Sequence, residues 1–213
     1  MRFQSHLRSL GHVQLPDYSG VRVMMMPFLF DQPRKSLPSS LAHWRELIAR
    51  LVAQTSTRVG VGYLTIDESH VPRGRTQRRP GLHVDGGRGK GWGGGGGGAW
   101  GKSGFVLASS HGGCSAWHQE FEGEPGIEND CEHLRDQLKP VARVRMQPSV
   151  AYVCSPLCVH EATPLDASVF RQFVRISLPS DAPWYEGYTR NPLGIEPAGK
   201  VLPAREEFMG YNA

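Results

Sequence analysis

Three residues, His83, Asp85 and His160, have the types and spacing that could hold a catalytic metal ion. On an extended strand, side chains two apart point to the same face, so His83 and Asp85 can both reach one ion while Val84 points away. His160, far downstream after Val159, supplies a third donor. Two neutral imidazole nitrogens and one anionic oxygen hold a divalent ion while leaving coordination positions open, which suits non-haem Fe(II). His111 and His118 are alternative ligands, and of these only His118 has a carboxylate, Glu120, two residues away.

A second constellation follows in Phe170-Arg171-Gln172-Phe173-Val174-Arg175-Ile176-Ser177-Leu178. Strand alternation places Arg171, Phe173, Arg175 and Ser177 on one face and Phe170, Val174, Ile176 and Leu178 on the other. A guanidinium grips a carboxylate as a planar fork. A 2-oxo acid chelating the metal would need that grip on its far carboxylate, and a second arginine one strand repeat away could hold an acidic group on a substrate.

The ordered set of His83, Asp85, His160 and Arg171 resembles the Fe(II)/2-oxoglutarate-dependent oxygenase superfamily, whose pattern is His-x-Asp, a long stretch, a second His and then an Arg. The further spacing to Arg175 looks like that of the taurine dioxygenase and clavaminate synthase branches. The resemblance implies a double-stranded β-helix, with Fe(II) on His83, Asp85 and His160, 2-oxoglutarate on Arg171 and the acidic group of the substrate on Arg175. It implies that O2 and 2-oxoglutarate are consumed, giving succinate and carbon dioxide, and that hydrogen abstraction leads to hydroxylation, desaturation or ring closure of an amino acid or natural-product precursor. A different class is a cupin-like metal-binding protein without oxygenase activity.

At 213 residues the chain is expected to be one oxygenase domain over 1–213. Its net charge of +4 suits anionic small molecules and falls short of a dedicated nucleic-acid binder. No apolar segment is long enough to span a membrane, and the polar start Met1-Arg2-Phe3-Gln4 is unlike a signal peptide, so a cytoplasmic protein is expected. Cys114, Cys131, Cys154 and Cys158 are expected to be reduced thiols, and Cys154, Cys158 and His160 lack the second Cys/His pair of a zinc finger. The run Arg73-Gly74-Arg75-Thr76-Gln77-Arg78-Arg79 could line an entrance for an acidic substrate or form a solvated loop.

Residues 86–104 are dominated by glycine, with Gly93 to Gly98 consecutive and Trp92 and Trp100 on either side. With no side chains to pack, the stretch is expected to be a mobile loop beside the metal, acting as a lid or as a passive insertion. Its single Gly-Arg-Gly unit is too little for a glycine-rich RNA-binding module, which repeats the unit many times.

These residues must be positioned by a mainly β fold with supporting helices. Strands are predicted over Val21–Phe30, from Val59 to Ile66, over Phe105–Ala108, from Cys114 to Phe121, from Val141 to Met146, over Val150–Cys154 and from Phe170 to Leu178, separated by Gly/Pro turns. One helix is predicted after Ser39 or Ser40, burying Leu41, Trp44, Ile48, Leu51 and Val52, with a shorter one over Glu132–Leu138. The aromatic tail, with Trp184, Tyr185 and Tyr188, needs a surface to pack on. The pattern favours a double-stranded β-helix, or jelly roll, with the metal at its mouth.

Overall fold

The computed structural model describes residues 1–86, 103–126, 129–180 and 184–203. The chain runs β1 (Arg2–Ser5), β2 (Leu7–His12), β3 (Arg22–Leu29), helix α1 (Arg45–Ala53), β4 (Val61–Val71), β5 (Phe105–Ser109), β6 (Cys114–Trp117) and β7 (Gln119–Glu122). It continues through β8 (Arg143–Arg145), β9 (Val150–Cys154), β10 (His160–Ala162), β11 (Val169–Ser177), β12 (Trp184–Tyr185) and β13 (Val201–Leu202). The protein is mainly β, and its antiparallel sheets carry the architecture.

The largest sheet has six strands in the order β2-β9-β5-β11-β4-β3, and a smaller one has the order β10-β6-β8. Alternation along the central strands gives the large sheet two apolar faces. Val174 and Ile176 of β11, Leu64 and Ile66 of β4 and Val106 of β5 pack against Leu41, Trp44, Ile48 and Leu51 on the helical side. Phe173, Phe105, Leu107 and Tyr152 point the other way and meet Ala116 and Met146 of the smaller sheet layer. The helix therefore covers the back of the large sheet, and the space between the sheets is left for a site.

The helix begins in a tighter form than expected. Ser39–Trp44 is a 3-10 turn leading into α1, and neither Ser39 nor Ser40 caps it through its side chain. Residues 114–122 break into two strands that pair with different partners, β6 with β8 and β10, and β7 with β1. Glu132–Gln137 is 3-10 helix. Phe170, expected on the apolar side, is 64% exposed, and its ring contacts there are Tyr18 and His70.

Gly62 explains why a glycine sits inside a long strand. A Cβ there would stand 1.9 Å from the Phe30 ring, so the ring takes the space a side chain would need. A one-residue bulge in β3 between Val23 and Met26, with Met25 at φ 49°, turns Met24 toward the space between the sheets and buries Met25 against Tyr63 and Trp184. The tail seals this edge as expected: Trp184 stacks on Tyr63 at 3.7 Å between ring centroids, and Asn191 donates to the carbonyls of Pro27 and Ser36. All four cysteines are free thiols, and no described helix is long and apolar enough to cross a membrane.

Candidate metal centre

His83 and His160 face each other across a reciprocal pair of backbone hydrogen bonds. Each N–H donates to the other's carbonyl at 2.9 Å, which fixes the residues directly opposite one another and brings their ring centroids to 4.3 Å. His160 opens β10 after the turn at Ser155–Cys158, as its position after Pro156 predicts. His83 belongs to no full strand; it is a single bridging residue that pairs with His160 on one side and Asp130 on the other. The expected strand is cut short because Gly81 enters at φ 83° and Gly86 turns onto Pro156, donating to its carbonyl at 2.9 Å. A Cβ on Gly86 would lie 2.4 Å from Pro156 Cβ, so only glycine allows this approach next to Asp85.

A charged clamp ties the two ligand-bearing segments together from outside. Glu132 Oε1 accepts from Leu82 N–H at 2.6 Å, and Arg135 donates both to Glu132 and, at 2.9 Å, to Glu161 beside His160. The Glu132 carboxyl is held down at about 2, first by its bond from Arg135 and then by Leu82 N–H.

Both imidazoles are oriented in the same way. His83 Nδ1 lies 2.7 Å from the Gly81 carbonyl, and His160 Nδ1 lies 2.9 Å from that of Cys158, each two residues back along the chain. A carbonyl only accepts, so Nδ1 carries a proton, and in a neutral ring held this way Nε2 is the atom with a lone pair for a metal. Burial pulls His83 down to about 3, further aided by the neighbouring His160, so its ring is neutral at physiological pH. Asp85 is ionised: burial alone would raise its carboxyl, but Arg175 and then the two histidines bring it to about 2.

One donor atom each from His83, Asp85 and His160 lies within 4.8 Å of the others, and among the described residues this is the group that could hold a metal ion. Two imidazole nitrogens and one ionised oxygen are a donor set that fits a divalent ion. His111 and His118 lie outside the group: His111 is engaged through its carbonyl and Ser110, and His118 contacts the Leu7 carbonyl and the His6 ring. Cys154 and Cys158 are buried in the apolar layer between the sheets.

The group opens onto a cavity of about 190 Å³ whose wall includes Leu107, Val150 and Phe173, with Arg171 and Arg175 also lining it. The two arginines share the inner face of β11, as alternation predicts, but their surroundings differ. Arg175 Nη1 pairs with Asp85 Oδ2 at 3.1 Å, the same oxygen that stands 3.7 Å from His160 Nε2. The guanidinium thus has a counter-charge within the protein. Among the described residues its buried Nε has no hydrogen-bond partner.

Arg171 has no such ion pair among the described residues. It is 4% exposed, and its contacts are all neutral: Gln77 Oε1 at 2.7 Å, Ser109 Oγ at 3.0 Å and the His111 carbonyl at 3.5 Å. No carboxylate of a described residue lies within ion-pair distance of it. Burial lowers its guanidinium to about 10, which leaves it protonated at neutral pH. Of its five N–H groups three are engaged, leaving one on each terminal nitrogen, the number a carboxylate takes in a bidentate pair.

The basic run before His83 divides between the two readings. Arg78 and Arg79 line the cavity, whereas Arg73 and Arg75 are exposed. Gln77 and Ser109 were not singled out by sequence reasoning as site residues. For Ser109 a signal existed, since Phe105, Leu107 and Ser109 alternate inward and only the last is polar; Gln77 gave none beyond being an uncharged residue among arginines. The glycine run with Trp92 and Trp100 lies outside the described residues. No protein-family model matches the chain, and neither a curated protein nor a solved structure matches it significantly.

Proposed function

We propose that this chain is a non-haem Fe(II)/2-oxoglutarate-dependent oxygenase acting on a small anionic substrate, built on a double-stranded β-helix. One observation carries the reading: a buried His-Asp-His group with both Nε2 atoms turned away from the backbone carbonyls opens onto the same cavity as a buried arginine that has no ion-pair partner among the described residues. An uncompensated buried charge is costly unless something arrives to meet it. Arg171 and the His-Asp-His group line one cavity, so an acid chelating the metal could present a second, distal carboxylate to Arg171.

In this reading His83, Asp85 and His160 hold Fe(II), Arg171 takes the distal carboxylate of 2-oxoglutarate, and Arg175 steadies Asp85 while its unpartnered Nε meets the substrate. Bound iron would supply dioxygen activation coupled to decarboxylation of the 2-oxo acid. The chain's own part is to orient both acids, through Arg171 and Arg175, and to keep water away with Leu107, Val150 and Phe173. The helix-backed large sheet facing a smaller sheet supports the β-helix assignment, since both histidines lie on the smaller sheet's side and both arginines on the larger.

Anaerobic titration with Fe(II), with and without 2-oxoglutarate, tests the proposal. A visible metal-to-ligand charge-transfer band should appear only when both are present. Tight iron binding with no band and no 2-oxoglutarate affinity would instead favour a cupin-like metal protein, and absence of iron binding would end both readings.

A further inference from the structure

Arg171 keeps its charge available because the chain surrounds it with neutral acceptors, and Gln77 supplies the shortest of these contacts. The amide's orientation is fixed by its other end: Nε2 donates to the Asp67 carbonyl at 2.9 Å, to Ser69 Oγ at 2.9 Å and to the Arg171 carbonyl at 3.2 Å. With the nitrogen's two N–H groups shared among these three acceptors, the oxygen faces the guanidinium, which it meets at 2.7 Å. The neighbouring strand does carry a carboxylate, Asp67, but it is turned to Arg22 at 3.5 Å and Arg78 at 3.7 Å. An amide therefore stands where a carboxylate of nearly the same shape would have neutralised Arg171.

We infer that Gln77 is a positioning residue that makes the site selective for 2-oxo diacids over 2-oxo monoacids, by holding the Arg171 guanidinium in place without cancelling its charge. The inference rests on the oxygenase reading of this site. A diacid gains its second ion pair only if the guanidinium is both fixed and unpaired; a monoacid such as pyruvate has no distal carboxylate and is indifferent to either condition.

The test is equilibrium binding, read from the charge-transfer band of the full chain loaded anaerobically with Fe(II), for 2-oxoglutarate and for pyruvate. The parent should prefer 2-oxoglutarate by roughly 100-fold, the scale of a buried charge-assisted pair. Gln77→Glu should bring the two acids within a few-fold of each other, with pyruvate affinity changed by no more than about twofold. Gln77→Asn, neutral but too short to reach Nη1, should lose about tenfold of the preference; it decides the matter alone if the glutamate variant does not fold. A purely structural role for Gln77 would weaken both acids together, and that result, or an unchanged preference in both variants, overturns the inference. A parent that binds the acids equally well would overturn the role of Arg171 and with it that of Gln77. A parent that binds iron but neither acid would instead overturn the oxygenase reading on which the inference stands.

Discussion

The two faces of β11 bury different things, apolar side chains on one and guanidinium groups on the other. On the helical side Val174 and Ile176 are fully buried among Trp44, Ile48 and Leu51, and where that face turns polar, at Gln172, the amide donates to Glu68 at 2.9 Å. On the cavity side Arg171 has only neutral partners and Arg175 Nε has none. Stability is concentrated behind the sheet, which lets the front keep a charge that disfavours the empty state and favours a bound anion. If this division is real, damage to one face should leave the property of the other intact.

The largest expected effect is on the helical side. Trp44→Ala removes a fully buried indole from the centre of the core cluster and should cost about 3–5 kcal/mol in chemical denaturation. Below its lowered midpoint the variant should still bind one Fe(II). Loss of iron binding with stability unchanged would show that the two faces are not separable.

Next in size come the metal ligands. His83→Ala, Asp85→Ala or His160→Ala should each weaken Fe(II) binding by more than about 100-fold, since even residues behind a ligand are worth 10–100-fold. The denaturation midpoint should move little for the two histidine variants, whose side chains line a cavity and are not part of a core cluster, whereas Asp85→Ala leaves Arg175 buried without its counter-charge and should also lower stability. Iron binding as tight as the parent's in all three variants would refute the assignment.

Arg171→Met and Arg175→Met sharpen the comparison within the cavity side. Arg171→Met should raise the Michaelis constant for 2-oxoglutarate roughly 100-fold while leaving stability within about 1 kcal/mol of the parent or above it, because a buried charge without a counter-ion is removed. Arg175→Met strips Asp85 of its partner, so it should weaken iron binding by about 10–100-fold as well as impair use of the prime substrate. Equal effects of the two variants on 2-oxoglutarate alone would erase the distinction between the arginines.

The parts of this site that follow from local rules were legible in the sequence. Alternation put Arg171 and Arg175 on the inner face of β11, and the turn residues before His160 placed it at a strand start. The helix pattern of Leu41, Trp44, Ile48 and Leu51 found the covered face, and the aromatic tail found its bed on Tyr63. What distance in the chain conceals was not legible. The Arg175–Asp85 pair, the Gln77 contact to Arg171 and the clamp from Arg135 to Glu132 and Glu161 depend on which strands become neighbours, and neither periodicity nor propensity carries that information. The bulge that turns Met24 into the cavity was hidden likewise, since Met24, Met25 and Met26 offer no pattern that says which one leaves the ladder.

The smallest effect concerns the polar end of the helical side, and it tests whether that end is as well satisfied as the geometry indicates. The buried Glu68 carboxylate accepts from Ser19 N–H and Oγ at 2.8 Å, Val21 N–H at 2.9 Å and Gln172 Nε2 at 2.9 Å. Burial pushes its pKa up, but these hydrogen bonds, with Gln172 the strongest contributor, bring it below the ordinary value of 4.5. Because the folded value is the lower one, the carboxylate's contribution is fully present above about 4.5 and is lost as pH falls through the folded value. Glu68→Gln should therefore cost on the order of 1–2 kcal/mol at pH 7, since one strong acceptor becomes a weaker one and a misplaced donor, and the difference from the parent should shrink as denaturation is measured at successively lower pH. Arg171, whose charge does not change in that range, should show no such convergence when replaced by Met. A Glu68→Gln deficit that stays constant with pH would mean that the carboxylate's charge is not what these donors stabilise, and the contrast between a carboxylate met by four donors on one face and a guanidinium met only by neutral groups on the other would lose its sharpest support.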